Sequence, residues 1–113
     1  MKKSLLLFII AACFSVKASA QSFSASYFSD NLGKSKTLCD KVGSIHIFND
    51  TLTHISMGGK HPNEKYIIAV KGNKLTLDWA HLKGKTMCVT GVFEMRDNRP
   101  YIVAAQPDQI QFP

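Results

Sequence analysis

The sequence has no apolar run long enough to cross a bilayer comfortably, which takes about 20 residues. Its apolar stretch at residues 4–16 falls short of that, so no transmembrane anchor is expected. No CxxC or HxxxH spacing is present, and this removes the usual signature of a structural or catalytic zinc site. No short motif pairs a serine or cysteine with a histidine, so no nucleophile has an evident base beside it. Internal repeats, low-complexity tracts and linkers are also missing, which argues against solenoids and multi-domain arrays. Dense clusters of lysine and arginine, the footprint of a dedicated nucleic-acid binder, do not occur either.

What is present begins with a leader. Lys2 and Lys3 give a basic start, residues 4–16 are largely apolar, and Ala18-Ser19-Ala20 has the small-x-small form that signal peptidase cleaves. The reading is a signal peptide at residues 1–20 and one domain at residues 21–113, exported to the periplasm or secreted. Ile10-Ala11-Ala12-Cys13 also fits a loose lipobox. Lipidation at Cys13 is the competing route, disfavoured by Phe14 directly after the cysteine. Removing Lys2, Lys3 and Lys17 from the 14 basic residues leaves 11 against 8 acidic ones, a net charge of +3. That biases the domain modestly toward anionic partners.

Export also bears on the cysteines. Without Cys13 only Cys39 and Cys88 remain, and two cysteines in an oxidising compartment are most simply one disulfide.

The periodicities give a strand-rich order. Residues 24–32 form a short helix with Ser24 as N-cap and Gly33 as stop. Residues 35–48 read as a long strand that bends near Gly43, Asn49-Asp50 as a turn, and residues 51–57 as a second strand. Residues 65–70 make a third. Leu75, Trp79 and Leu82 stand at i, i+4 and i+7, which predicts a helix packing one apolar face. Residues 86–95 and 100–104 complete a set of five strands, joined by Arg96-Asp97-Asn98-Arg99. Trp79 and Phe93 are read as core. Five strands closing on themselves remove exposed edges. The fold class is mainly β, a five-stranded OB-fold barrel with a short N-terminal helix and a helix between strands three and four.

Four segments also carry a resemblance: GKSKTLCDKV (residues 33–42), SMGGKHPNEKYIIAV (56–70), LKGKTMCVTG (82–91) and NRPYIVAAQPDQI (98–110). Together they resemble the small exported OB-fold proteins of bacteria, described as tRNA-anticodon-like, nucleic-acid-binding domains. The resemblance covers nearly all of residues 21–113. It implies the fold directly and nucleic-acid binding only through the fold, which hosts many functions. In such a barrel the first and fourth strands are neighbours. Leu38, Met87 and Val89 have the apolar inward parity, so Cys39 and Cys88 should meet on the outer wall.

An OB barrel binds on the outer face of strands two and three and on the adjoining loops. Those regions supply Phe48, His54, Lys60, His61, Lys65 and Tyr66, with Arg96 and Arg99 from the last hairpin. Rings that stack bases beside cations that follow phosphates suit single-stranded nucleic acid. Some positions have two placements open. Tyr66 either lines the groove or points inward as core, and Phe48 either joins the groove or plugs the end of the barrel. Arg96 and Arg99 are ligand contacts or a solvated pair. His46, His54, His61 and His81 are dispersed along the chain, and Asp78 with His81 at i, i+3 reads as a surface pair. The expectation is a non-catalytic binding module with no cofactor and no metal. Its expected partner is single-stranded nucleic acid or an acidic oligosaccharide. The alternative is an interaction or envelope-stress module that contacts another exported protein, favoured if outward Ile67 and Ala69 form an exposed apolar patch.

Overall fold

The computed structural model describes residues 21–113; the leader and lipobox readings, including Cys13, lie outside them. Ser24 caps a single turn-and-a-half of helix, α1 (Ala25–Asp30), its hydroxyl accepting from Tyr27 N–H at 3.1 Å. The helix buries Phe28, whose ring stacks on Phe93 at 4.2 Å between centroids. Asn31 caps its end and Gly33 follows with φ +82°, the left-handed region where glycine carries no Cβ penalty.

Six strands follow: β1 (Ser35–Asn49), β2 (Leu52–Met57), β3 (Tyr66–Lys71), β4 (Thr86–Arg96), β5 (Arg99–Ala104) and the short β6 (Ile110–Gln111). β1 is long enough to serve two neighbours. Its first half pairs antiparallel with β4, from Ser35↔Val92 to Lys41↔Thr86, and its second half pairs with β2, from Val42↔Met57 to Asn49↔Leu52. The register slips between Val42 and Ser44, which places a bulge at Gly43 and lets the strand turn from one partner to the other. β2 pairs with β3, β3 runs parallel to β5, and β5 returns antiparallel to β4. The order β1-β2-β3-β5-β4 with the β1–β4 pairing is a closed ring of five strands.

Alternation fills the ring. Leu38, Ile55, Met57, Tyr66, Ile68, Met87, Val89, Phe93 and Ile102 all belong to one core and are nearly inaccessible. Asp97 and Asn98 both take positive φ, 50° and 63°, the mirror-image turn whose twist matches the flanking strands of a hairpin. After β5, Gln109 ties the closing segment to the sheet. Its amide oxygen accepts from Ala105 and Gln106 N–H, and its amide nitrogen donates to the Thr90 and Val103 carbonyls.

Cys39 and Cys88 are opposed in the β1–β4 ladder and form a disulfide with a Cα–Cα separation of 4.0 Å. Leu38, Met87 and Val89 point into the core beside them, so the parity argument holds.

The segment between β3 and β4 departs from the sequence reading. In place of a helix spanning Leu75 to Leu82, the chain is irregular and carries only a 3-10 turn, Trp79–His81. Leu77 supplies the reason. On an α-helix it would lie about 200° from Leu75, on the opposite face. In the irregular path Leu75, Leu77, Trp79 and Leu82 all reach the core.

Tyr66 takes the inward placement. It is 1 % exposed, its ring stacks on Phe23 at 5.5 Å, and its hydroxyl has no hydrogen-bond partner. Burial, with Asp40 nearby, pushes its pKa upward. A buried hydroxyl without a partner costs desolvation and returns nothing. Tyr66→Phe is therefore expected to leave stability unchanged or raise it by about 1 kcal/mol. Urea unfolding measures this, and a loss of about 1 kcal/mol or more would show that the hydroxyl has a partner.

Candidate functional site

The inward alternation of β2 and β5 places His54 and Tyr101 on the outer wall of the ring, and that of β1 beyond its bulge does the same for His46 and Phe48. His46 and His54 are directly opposed across β1 and β2. The rings touch in succession: His46 to Phe48 at 4.3 Å, Phe48 to His54 at 4.8 Å and His54 to Tyr101 at 5.6 Å between centroids, each edge-on. His54 Nε2 is 3.1 Å from the Tyr101 hydroxyl. The Arg96 guanidinium stands over the Tyr101 ring at 5.1 Å and ends the row. Beside the row lies a groove of about 520 Å³ lined by Ser44, Ile45, His46, Phe48, His54, Ser56, His61 and Ile67.

The connection between β2 and β3 forms one bank. His61 N–H donates to Ser44 Oγ at 3.0 Å, which fastens the connection to β1. The Glu64 carboxylate sits beneath, with its side chain only 2 % exposed. It accepts from Arg99 Nη1 on one oxygen and lies 3.0 Å from His61 Nδ1 on the other.

Two pKa shifts mark the site. His54 is held below the usual histidine value, first by partial burial and then by His46, His61 and Lys71, while Glu64 pulls the other way. Burial raises the Tyr101 phenol, with Arg96 opposing. Away from the groove, the hydrogen bond from His81 lowers Asp78, and both side chains of that pair are well exposed.

The predicted residues therefore separate. Phe48 is 51 % exposed and sits with His54 in the ring row; it is not a plug. His61 borders the groove but is engaged by Glu64, and Arg99 is spent on the same carboxylate. Lys65 lies 3.8 Å from Asp40, and Arg96 has Glu94 at 3.8 Å as well as the Tyr101 ring. Lys60 is exposed on the β2–β3 connection. Tyr66 lies in the core and does not reach the groove. Ile67 and Ala69 point outward as expected, yet they are 6 % and 0 % exposed, packed with Tyr101, Leu52 and Val103. They offer no open apolar patch.

Three residues of the site were not selected from the sequence. His46 appeared as one of four scattered histidines. Tyr101 is outward by alternation with Ile102 and Ala104, but only the parallel β3–β5 pairing carries it toward His54. Glu64 carried no local signal. Among the described residues, no group of three or more His, Cys, Asp or Glu is placed to hold a metal ion, and no helix is long and apolar enough to cross a membrane. Comparison with protein-family models, curated proteins and solved structures finds no match to this chain.

Proposed function

We propose that the protein is an exported OB-fold module that binds single-stranded nucleic acid across the outer wall of its ring, without catalysis. The strand order, with β1 closing on β4 and β3 running beside β5, supports the OB assignment. The disulfide, and the lack of a membrane-crossing helix among the described residues, are compatible with export. The observation that carries the functional reading is the row His46–Phe48–His54–Tyr101 with Arg96 at its end. His46 and Phe48 are exposed and His54 is half-buried, so these rings give successive bases faces or edges to pack on while the buried Tyr101 backs the row; every base has a π-face, so such binding tolerates sequence. Arg96, at the end of the row with Glu94 at 3.8 Å, and the exposed Lys60 are assigned to follow phosphates, while Arg99 is held by the buried Glu64 carboxylate.

Oligothymidylate is expected to bind with an affinity that falls as salt rises, because bound cations release counterions from phosphate. Phe48→Ala should cost about 1–3 kcal/mol of that affinity. Because half of Phe48 is already exposed, the melting temperature should hardly move. Fluorescence anisotropy at two salt concentrations, beside a melting curve, measures both. Absence of salt-sensitive binding at tens of micromolar, roughly the range of ordinary non-specific binding, would remove nucleic acid. Equal or tighter binding of an acidic oligosaccharide would transfer the site to that polymer.

A further inference from the structure

Three of the protein's four histidines line one groove, and the groove lining contains no carboxylate. His46 and His54 are cross-strand partners, so their Cβ atoms stand roughly 4.5–5.5 Å apart. Their rings both touch the exposed phenyl of Phe48. Neutral imidazoles there leave an aromatic wall with little charge. Protonated imidazoles would turn the same wall into paired cations in contact with an exposed ring, the complement of a phosphodiester beside its base. We propose that the groove is a proton-loaded anion site, in which His46 and His54 take up protons as a phosphodiester chain enters, so that affinity rises as pH falls. This rests on the nucleic-acid reading above and adds its regulation.

The empty groove resists protonation for a geometric reason. Two like charges directly opposed on neighbouring strands repel, and His54 is half-buried beneath its neighbours. The groups facing it come from every element packed around it. β1 brings His46, the end of β3 brings Lys71, and the β2–β3 connection brings His61 and the Glu64 carboxylate. β5 brings the Tyr101 hydroxyl, and β4 brings Arg96 over the Tyr101 ring, with Glu94 and Asp97 beyond it. The cations and histidines in this set disfavour a proton on His54, and only Glu64 acts directly in its favour. A phosphate placed between His46 and His54 reverses the balance by giving both charges a shared counterion. In the protonated ring Nε2–H donates to the Tyr101 oxygen and Nδ1–H is available to the ligand.

His61 does not share this role, because its Nδ1 already faces the Glu64 carboxylate. Lysine and arginine keep their charge between about pH 5 and 8, the range in which histidine changes. The direction of the dependence follows. In the free groove His54 is held below the usual histidine value, and an anionic ligand between the imidazoles would raise it. Affinity is therefore greatest below the free value, falls between the two as pH rises, and levels off above the occupied value. By linkage, the ligand must raise the histidine pKa values as much as protons raise affinity.

Oligothymidylate is the suitable probe, since its bases do not titrate in this window. At constant ionic strength, wild-type protein should bind it at least about tenfold more tightly at pH 5.5 than at pH 8, the equivalent of one unit of histidine pKa change on binding. His46→Gln/His54→Gln should bind more weakly than wild type at pH 8, because two rings of the row are gone, and should lose most of the gain in affinity between pH 8 and pH 5.5, while His61→Gln keeps the wild-type gain. NMR titration of the imidazole resonances should show both pKa values rising when the oligonucleotide is present. A flat pH profile with sustained binding, or a double variant with the wild-type gain, would overturn the inference and leave the nucleic-acid reading standing. No binding at either pH would overturn both.

Discussion

Replacing Cys39 or Cys88 by alanine is expected to cost about 4 kcal/mol, the chain-entropy value for a closed loop of this size. The two cysteines are 49 residues apart in sequence and join β1 to β4 at the seam that closes the ring. The described residues, 21–113, enclose a small core, and a domain of this size has a total stability on the order of 5–15 kcal/mol, so the bridge represents a large share. Both single variants remove the same bond, and the double variant should be little worse than either. Guanidinium unfolding of all three gives the comparison, and a thiol assay of protein from an oxidising compartment should read zero. Two titratable thiols, or clearly additive single effects, would contradict the assignment.

The second large effect is expected at Gly43. A Cβ there would overlap the Gly59 carbonyl and approach Lys60 N to 2.9 Å. Both are backbone groups, which cannot swing aside as a flexible side chain would. Gly43 also sits in the bulge that carries β1 from β4 to β2. Gly43→Ala should therefore destabilise by about 3 kcal/mol, the upper part of the range for overpacking. It should also loosen the β2–β3 connection that holds His61 against Ser44. Gly72→Ala is the control. Its φ is +82° but its Cβ would meet open space, so the cost there is limited to about 1–2 kcal/mol of left-handed strain. Equal losses in the two variants would show that the close approach at Gly43 does not constrain the fold.

The resemblance to exported OB-fold proteins rests on segments that the structure makes into strands or the turns between them. Gly33–Val42 enters β1, Ser56–Val70 runs from β2 into β3, Leu82–Gly91 contains the start of β4, and Asn98–Ile110 contains β5 and its closing turn. Within them the structure shows the closed ring of five strands and the Cys39–Cys88 bridge; the OB-fold assignment belongs to the proposal.

Elements with local causes were legible in the chain. Period-two alternation placed the strands within a residue or so of their observed ends, because half-buried strands must alternate. Ser24 capped the helix through its own side chain, and Asp97-Asn98 specified a tight hairpin. Cys39 and Cys88 could be paired because they are the two cysteines left beside Cys13, and parity read from Leu38, Met87 and Val89 turned both outward. The apolar spacing at Leu75, Trp79 and Leu82 misled because i, i+4, i+7 fits a helix, while Leu77 extends a period-two pattern that fits an irregular chain equally well. Packing against the ring decided between them.

The site was a product of tertiary structure. His46 and His54 face each other only through the β1–β2 register, and Tyr101 reaches His54 only because β5 lies beside β3. Arg99 and His61 looked like free cations in the chain, 38 residues apart in sequence, until folding brought Glu64 between them and committed both. Tyr66, adjacent to Lys65, had equal local claims to groove and core, and the β2–β3 ladder opposing it to Met57 turned it inward. Local sequence fixes which face a side chain takes relative to its own strand. Which other side chains share that face depends on strand order and register, and those emerge only when the ring closes.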